Sequence, residues 1–342
     1  MQQTQYTFEE NRFRGASHAG SWYTSNAPQL TADLLGWLGS VGPRADLPGQ
    51  VFPSPGCKAI IAPHAGYQYS GSNAAWAYKC IDPSTTRRVF ILGPSHNWSI
   101  GECALTRCHT YDTPIGTLPV DTAADHARLL VVDDLHGKGG FLWMNMTVDE
   151  EEHSIEMQLP YLRKVCEGKD IKIVPILVGR LSAKAETQYG EKLAPYLNQE
   201  GTVFIASSDF CHWGQRFNYC FYYPKPDSRV DDAFYATRAM PPERDFPIYK
   251  SITKLDHEAM GILSDRDRSA ILAHRDFHRY LKDTGNTICG RHAIGVLYGA
   301  LAYLEQGTGR KASCRWIKYD HSEDITKVHQ SSVSYASAWI NI

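Results

Sequence analysis

Short apolar runs alternate along the chain with segments in which apolar residues recur at helical spacing. Three runs have the length and composition of buried strands, at residues 58–62, 89–92 and 203–206. Helical spacing marks three other segments, at about residues 30–38, 72–79 and 183–197. Residues 171–178 alternate and are β-branched, which is typical of a further strand. This order of strands and helices predicts an α/β protein with a three-layer α/β/α architecture.

The remaining segments refine this fold class. Short or late strands are expected in three places, at residues 102–120, 313–319 and 331–340. Asp121 can cap a helix that continues to about Val131, and the acidic run that opens 149–162 suits the start of another helix. Late strands after a run of strand–helix units predict that the central sheet is mixed.

One domain over residues 14–342 is expected, preceded by a flexible N-terminal tail at 1–13. The tail is polar and has no apolar periodicity. Residues 224–247 are rich in proline and also lack apolar periodicity, so we interpret them as a surface insertion with one short helix near 231–237.

Polar side chains follow three of the predicted strands at the point where each strand ends. His64 and His96 come after the first two, and Asp209 and His212 come after the third. In open α/β sheets, ligands bind beyond the carboxyl ends of the strands, so these side chains could converge. Imidazole with carboxylate is a common transition-metal ligand set and also a general acid/base set. A lone histidine in such a place is more often a hydrogen-bonded structural residue, but the repeated context favours a shared site.

Asp209 and His212 are three residues apart, which would place them on one face of a helical turn. The alternative is that Asp209 caps a helix and His212 is its neutral neighbour. Cys289 precedes a segment with helical apolar spacing and lies near Arg291. A thiol at a helix N-terminus beside an arginine is expected to have a lowered pKa. The alternative is a buried cysteine that closes a turn.

Five further residues are candidates for the pocket wall or for groups that orient a ligand. His153 and Glu156 are three apart on the acidic helix and could hold a ligand or catalytic residue in position. A surface ion pair explains the same spacing equally well. The weaker candidates are His18, Tyr67 and Arg291.

The composition narrows the classes of function. Lysine and arginine number 35 and aspartate and glutamate 37, for a net charge of −2, so no broad basic field for nucleic acid is expected. No apolar run reaches the roughly 18 residues of a membrane span, and the N-terminus does not resemble a signal peptide. Nine cysteines, an odd number, favour a reducing compartment. We therefore expect a cytoplasmic protein without nucleic-acid partners or membrane insertion.

Several long motifs occur in one order and together resemble the Memo family, whose human member mediates receptor-driven cell motility. They are ASHAGSWY at 16–23, IIAPHAGY at 60–67, FILGPSH at 90–96, DEEEHSIEMQLPY at 149–161, SSDFCHWGQRF at 207–217, NTICGRH at 286–292 and SSVSYAS at 331–337. The resemblance covers the chain from Arg14 to the C-terminus, and the segment at 224–247 departs from the shorter family pattern.

The resemblance implies a fold similar to class III extradiol dioxygenases and a metal pocket with His64, His96 and Cys289 as ligands. It implies iron or copper as the cofactor, with zinc as a further option, and gives Asp209 and His212 as additional pocket residues, His212 in the place of the catalytic histidine. Ring cleavage is not expected, because Cys289 replaces the carboxylate ligand of those dioxygenases. The family is linked to redox signalling, cell motility and phosphotyrosine-receptor pathways, with a cytoplasmic and also a nuclear location.

Three hypotheses follow for the function. The first is a metal-binding redox or signalling protein in which His212 moves a proton and a small molecule or oxygen is the ligand. The second is a metal-independent thiol enzyme in which Cys289, His212 and Asp209 act as nucleophile, base and orienting group. The third is a non-catalytic adaptor that binds a signalling protein or phosphotyrosine-type peptide in the cleft near His64 and Tyr67.

Overall fold

A computed structural model describes residues 12–122 and 131–342. The α-helices in these ranges are α1 (Ala27–Ser40), α2 (Tyr67–Lys79), α3 (Val131–Gly137), α4 (Met146–Glu151), α5 (His153–Glu156), α6 (Leu159–Val165), α7 (Ala183–Leu197), α8 (Ile248–Ser264), α9 (Ala270–Thr284) and α10 (Arg291–Thr308). The strands are β1 (Phe13–Arg14), β2 (Ala59–Ala62), β3 (Arg88–Pro94), β4 (Cys103–Leu105), β5 (Thr110–Tyr111), β6 (Leu118–Pro119), β7 (Phe141–Trp143), β8 (Lys172–Val178), β9 (Thr202–Ser207), β10 (His212–Trp213), β11 (Phe221–Tyr222), β12 (Phe234–Tyr235), β13 (Ser313–His321) and β14 (Ser332–Asn341).

A nine-stranded mixed sheet forms the centre of the protein. Its strands follow the order β10-β14-β2-β9-β3-β8-β4-β7, and β13 pairs with β14. Strands β2, β9, β3 and β8 are parallel to one another, whereas β14 runs antiparallel to β2, and β4 runs antiparallel to β8. The parallel strands are buried along almost their whole length, which explains why their sequences are continuous apolar runs.

Helices cover this sheet and complete the predicted α/β/α architecture. One group consists of α1, α2 and α6, and α2 packs on β2 and β14. The other group contains α7, α9 and α10, and α10 packs on β9 and β3. Helices α7 and α10 approach closely through glycines, since a Cβ on Gly190 would lie 2.4 Å from the backbone of Gly299. In the described ranges, no helix is long and apolar enough to cross a membrane.

Strand order explains how distant sequence segments meet. Strand β9 lies between β2 and β3, and all three run in the same direction. Their carboxyl ends therefore lie side by side at one edge of the sheet. His64, His96 and Asp209 follow these three ends, as the strand pattern predicted.

Most predicted elements are confirmed, but the acidic segment at 149–162 is not one helix. It is divided among α4, α5 and α6. Glu152 separates α4 from α5 because its backbone is extended, at φ −85° and ψ 112°. Its side chain caps α5 by accepting a hydrogen bond from the Ser154 amide. Pro160 stands in the first turn of α6. The predicted helix from Asp121 lies mostly outside the described residues.

Two further local predictions are wrong. Asp209 and His212 do not share a helical turn, because the Phe210 amide donates to the Ser334 carbonyl of β14 and β10 follows directly. The insertion has no α-helix near 231–237. It contains a 3₁₀ turn, and then β12, which pairs with β11.

One residue of the predicted N-terminal tail belongs to a strand. Phe13 belongs to β1 and pairs in register with Thr110 of β5. The next residue, Arg14, is fully buried and donates to Glu156 at 2.7 Å. The rest of the predicted tail, up to residue 11, lies outside the described residues.

Candidate metal centre

Three potential metal ligands meet at the carboxyl edge of the sheet. One donor atom each from His64, His96 and Cys289 lies within 4.8 Å of the other two. His64 Nε2 and Cys289 Sγ are 3.1 Å apart. The imidazoles of His64 and His96 meet edge to face with their centroids 5.2 Å apart. The structure therefore brings together the three residues that the sequence assigned to a metal.

A buried hydrogen-bond network fixes the tautomer of His64. The Ser207 hydroxyl donates its one proton to the Ser154 carbonyl at 2.8 Å and accepts from Gln158 Nε2 at 2.9 Å. The Gln158 amide is itself oriented because its Oε1 accepts from Tyr78 at 2.6 Å. Ser207 Oγ can thus only accept from His64 Nδ1, which lies at 2.8 Å. The proton of His64 is on Nδ1, and the Nε2 lone pair faces Cys289.

Burial keeps His64 neutral. The side chain is 1% exposed, and burial together with the nearby His96, His153 and His212 holds its pKa well below the ordinary value. A neutral imidazole with a free Nε2 is the form that binds a metal ion.

Glu152 orients His96 in the same way. His96 Nδ1 lies 2.8 Å from Glu152 Oε1, and the His96 amide donates to Oε2 at 2.8 Å. An ionised carboxylate only accepts, so Nδ1 carries a proton and Nε2 is the nitrogen left for a metal ion. Burial alone would raise the pKa of Glu152, but the hydrogen bond and charge of His96 lower it to about 2. The side chain of His96 is 28% exposed, so this ligand position is open to solvent.

Cys289 lies just before α10, and its environment overturns the predicted lowered pKa. Burial, with the charge of Asp209, raises the pKa of the thiol well above its ordinary value. The Asp209 amide donates to Sγ at 3.3 Å, but this and the nearby Arg291 do not offset the loss of solvent. The helix end and the arginine would each lower the pKa of the thiol, but burial raises it by more than both together. A cation beside Sγ would supply the charge that a buried thiolate needs.

Asp209 connects two strand ends. Its Oδ1 accepts from the amides of His64 at 2.8 Å and Ala65 at 3.3 Å. Burial raises the pKa of this carboxyl above its ordinary value, although His212 opposes the shift. Asp209 thus shapes the loop that presents His64.

His212 presents a free nitrogen to the cleft. Its Nδ1 lies 2.9 Å from the Phe210 carbonyl and 3.2 Å from the Thr287 carbonyl. Carbonyls only accept, so Nδ1 carries a proton. Donor atoms of Asp209, His212 and Cys289 also lie within 4.8 Å of one another. His212 therefore lies close to the candidate metal ligand Cys289.

His153 lies in the cleft and not on an outer surface. Its ring is tilted against His96 and Trp22, with centroid distances of 4.2 Å to each. Burial, together with the charge of His96, lowers the pKa of His153 to about 3. A neutral imidazole therefore lies beside the candidate ligand His96.

Glu156 is buried and does not pair with His153. It accepts from Arg14, from the Tyr23 hydroxyl at 2.7 Å and from His18 Nδ1 at 2.8 Å. Burial alone would raise the pKa of Glu156, but the hydrogen bond from His18 and the charge of Arg14 lower it to about 2. His18 thereby packs beside the cleft, 6.0 Å between ring centroids from His153.

Tyr67 and Arg291 stand outside the cleft lining. The Tyr67 hydroxyl donates to the Met157 carbonyl at 2.7 Å within the core. The Arg291 guanidinium approaches the Ile288 carbonyl at 3.4 Å. The cleft itself has a volume of about 680 Å³ and its lining includes residues that the sequence did not single out, Trp22, Tyr69, Arg216 and Tyr335.

The residues present fit a metal ion. One donor atom from each of the two histidines and the cysteine sulfur lie within 4.8 Å of one another, and each imidazole is held at Nδ1, by Ser207 or by Glu152. Neither of these supporting residues was predicted from the sequence. Glu152 had a signal, since it lies in the acidic run, but Ser207 occupies a position that is typical only of the end of an apolar strand.

Known proteins are similar to this chain along almost its whole length. A family model described as "Memo-like protein" matches residues 14–339. Protein MEMO1 of Xenopus tropicalis is 44% identical over 326 residues, which cover 95% of this chain and 96% of that protein. Protein MEMO1 of Homo sapiens is 42% identical over 331 residues, covering 96% and 97%.

A more distant relative and one solved structure extend the comparison. Protein memo-1 homolog of Caenorhabditis elegans is 38% identical over 324 residues, covering 95% of this chain and 81% of that protein. An uncharacterized protein from Escherichia coli K12 aligns with a TM-score of 0.40 and 12% identity over 83% of this chain and 99% of that chain, a likeness too low to support a conclusion. The family match and the identities above 40% show that this chain belongs to the Memo family.

Proposed function

We propose that this chain is a metal-binding protein with a redox or signalling role, and that His64, His96 and Cys289 hold one iron or copper ion. The observation that carries the proposal is that His64 and His96 are each held at Nδ1, while His64 Nε2 lies 3.1 Å from the Cys289 sulfur and a donor atom of His96 lies within 4.8 Å of both.

The donor set supports iron or copper, with zinc as the third option. Thiolate is a soft ligand that suits Cu(I), iron and zinc, and imidazole suits the same ions. Bound iron or copper would supply one-electron redox chemistry. Ring cleavage of the dioxygenase type is not part of the proposal, because Cys289 stands where a carboxylate ligand is needed.

Residues beside the ligands would handle protons and the bound molecule. His212 has a free Nε2 and can take up a proton, and Asp209 holds the His64 loop in place. The cleft is open to solvent and large enough for a small molecule or oxygen. His153 and Trp22 give it a partly apolar wall.

Elemental analysis tests the metal proposal. Protein purified without added metal and without oxygen is expected to contain about one iron or copper per chain. His96→Ala and Cys289→Ala should each lose it. Cys220→Ala, at another half-buried cysteine, is the matched control and should keep the metal.

One result would contradict the proposal directly. If the wild-type protein fails to bind Fe(II), Cu(I) and Zn(II) on reconstitution, or if metal content is the same in Cys289→Ala, the three-residue centre is wrong. Circular dichroism of each variant separates the loss of a ligand from the loss of the fold.

The geometry favours metal binding over the metal-independent thiol enzyme. A Cys-His-Asp arrangement needs the carboxylate to orient the histidine base. Here His212 Nδ1 faces the Phe210 and Thr287 carbonyls, and Asp209 accepts from backbone amides. The raised pKa of Cys289 also opposes a free nucleophilic thiolate.

A second candidate function is the binding of a signalling protein through a phosphotyrosine-type peptide. Exposed Arg216 lines the cleft and could pair with a phosphate group. Such binding is compatible with a metal role in motility signalling, in the cytoplasm and in the nucleus.

Calorimetry with a phosphotyrosine peptide and its unphosphorylated form tests this second candidate function. Preference for the phosphorylated peptide, lost in Arg216→Ala, supports this role, and equal binding of both peptides contradicts it.

A further inference from the structure

A second histidine cluster lies on the helical layer formed by α7, α9 and α10. Glu186 of α7 is fully buried, and its Oε2 lies 2.6 Å from Nε2 of both His274 and His278. The other carboxylate oxygen, Oε1, lies 2.7 Å from His292 Nδ1. His274 and His278 are four residues apart on α9 and share one face of that helix. Helices α9 and α10 thus direct three imidazoles to one carboxylate of α7.

The backbone makes room for this carboxylate. A Cβ on Gly295 of α10 would lie 2.0 Å from Glu186 Oε2 and 2.9 Å from Oε1. Glycine at this position therefore leaves the space that the carboxylate occupies. A substitution there would push Glu186 away from the imidazoles, so the helix sequence itself accommodates the cluster.

Glu186 differs from the buried Glu156 in the type of side chain that pairs with it. Glu156 is paired with the Arg14 guanidinium at 2.7 Å. Within residues 12–122 and 131–342, the ion-pair contacts of Glu186 are all to histidines. A metal ion among these donors would place a positive charge beside the buried carboxylate.

From this geometry we infer a second metal site in which Glu186 Oε2, His274 Nε2 and His278 Nε2 bind one divalent transition-metal ion of the zinc class. These three residues each offer a donor atom within 4.8 Å of the other two. His292 does not bind the ion in this arrangement but orients the carboxylate through Oε1. Two histidines and one carboxylate form a recognised ligand set with positions left open for water.

Binding requires only a small local rearrangement. Ligands at about 2.0–2.1 Å from a tetrahedral ion are about 3.3 Å apart, so the 2.6 Å contacts to Glu186 must widen by less than about 1 Å. A neutral ring with its proton on Nε2 must transfer that proton to Nδ1 before Nε2 can bind the ion. His278 is 28% exposed and gives the ion a route from solvent.

The donor types select the class of metal. Imidazole suits zinc, copper, nickel and iron, whereas calcium and magnesium prefer oxygen ligands. The three donor residues include no cysteine, which distinguishes this cluster from the candidate metal centre at Cys289. Cobalt(II) is therefore a useful probe, since its absorption reports whether a thiolate is among the ligands.

The experiment uses the full-length chain with the first centre removed by His64→Ala and Cys289→Ala. Titration with Co²⁺ should give one equivalent of bound metal, with ligand-field absorption and no sulfur-to-cobalt charge transfer. Zn²⁺ should displace it. In this background variant, the further substitution His278→Ala should weaken Co²⁺ binding at least tenfold. The further substitution Glu186→Gln should abolish Co²⁺ binding. His257→Ala, at an exposed histidine of α8, is the matched control and should leave the titration unchanged.

Two outcomes would overturn the inference. The first is no Co²⁺ or Zn²⁺ binding in the background variant while its circular dichroism is native. The second is binding that His278→Ala does not weaken. Because the background lacks the first centre, neither outcome depends on the proposed iron or copper site.

Discussion

Both histidines of the candidate metal centre are oriented by a hydrogen bond at Nδ1. Ser207 accepts from His64 Nδ1, and Glu152 accepts from His96 Nδ1, each at 2.8 Å. Each partner is itself fixed, Ser207 by Gln158 and Glu152 by its position at the start of α5. The lone pairs therefore face the cleft before any ion arrives. This preorganisation lowers the cost of ordering the ligands on binding.

Substitution Ser207→Ala should weaken metal binding about 10- to 100-fold with no loss of a ligand. The alanine cannot accept from His64 Nδ1, so the ring is free to turn or to place its proton on Nε2. Competition titration with a chelator measures the affinity. Ser337→Ala is the control, since Ser337 is also buried but bonds Asn73. Equal affinities in the wild type and Ser207→Ala would contradict the assigned tautomer.

Glu156 makes a separate prediction about pH. Its folded pKa is about 2, below the ordinary value of 4.5, so ionised Glu156 stabilises the fold above about pH 4.5. That contribution falls as the pH drops from about 4.5 toward 2, by about 1.4 kcal/mol per pH unit. Glu156→Gln leaves Arg14 without its carboxylate and should lower the free energy of unfolding by about 3 kcal/mol at about pH 7. The difference between the two proteins should narrow as the pH falls through that window.

Chemical denaturation measures the difference in the free energy of unfolding between the wild type and Glu156→Gln. The measurement is made at about pH 7 and at about pH 3, because most of the stabilisation by Glu156 is lost between these values. Glu167→Gln is the control, because Glu167 is exposed and pairs with Lys164 on the surface, where such pairs contribute little. A difference between the wild type and Glu156→Gln that stays constant with pH would mean that the carboxyl is not ionised in the fold.

At the residue scale, the sequence indicated which candidate ligands lie together better than it indicated their environment. His64 and His96 carry a local signal, since each follows an apolar run at a strand end. The pKa of Cys289 was predicted in the wrong direction because burial depends on contacts from distant segments. Ser207 and Glu152 could not be paired with their histidines without the strand order.

At the scale of elements, regular patterns were predicted well and interrupted ones were not. Helix α7 and strands β13 and β14 occupy the segments that their periodicity indicated. The segment at 149–162 keeps helical spacing although Glu152 interrupts it, because that residue bonds to the His96 loop. The prediction that Asp209 and His212 share a helical turn was wrong for a similar reason, because the backbone between them forms hydrogen bonds with β14. Tertiary hydrogen bonds overrode the local pattern in both cases.

The close approach of α7 and α10 gives a prediction about helix packing. Gly295→Ala should destabilise the fold by about 1–3 kcal/mol, because its Cβ would overlap the Glu186 carboxylate. Gly36→Ala in α1 is the matched control, since Gly36 is exposed and a Cβ added there would meet nothing within 4 Å. The control should instead stabilise the protein, by up to about 1 kcal/mol. Denaturant unfolding of both variants measures the effect, and stabilisation by Gly295→Ala would contradict the packing described.

At the scale of the whole molecule, the metal centre depends on the complete sheet. Its candidate ligands are separated by up to 225 residues and meet only when β2, β3 and β9 align and α10 packs on β3 and β9. Strand β14 comes last in the chain and yet pairs with β2 inside the sheet. The centre therefore exists only in the folded state, and an ion bound there should stabilise the whole fold.

Metal addition should raise the free energy of unfolding. Free metal at about 100 times its Kd should add about 2.7 kcal/mol in the wild type. The same addition to Cys289→Ala should give a smaller increase, because only other sites remain. Anaerobic denaturant unfolding with and without Cu(I) or Fe(II) measures both increments. Equal increments in the two proteins would place the stabilising ion elsewhere.

X-ray absorption spectroscopy of the metal-loaded protein tests the central claim most directly. The measurement uses His278→Ala, so that the second cluster does not contribute. We predict one sulfur and at least two imidazole nitrogens around the iron or copper. The double variant that adds Cys289→Ala should lose the bound metal and, with it, the sulfur signal. A spectrum with only nitrogen and oxygen ligands, or a sulfur that persists without Cys289, would contradict the centre formed by His64, His96 and Cys289.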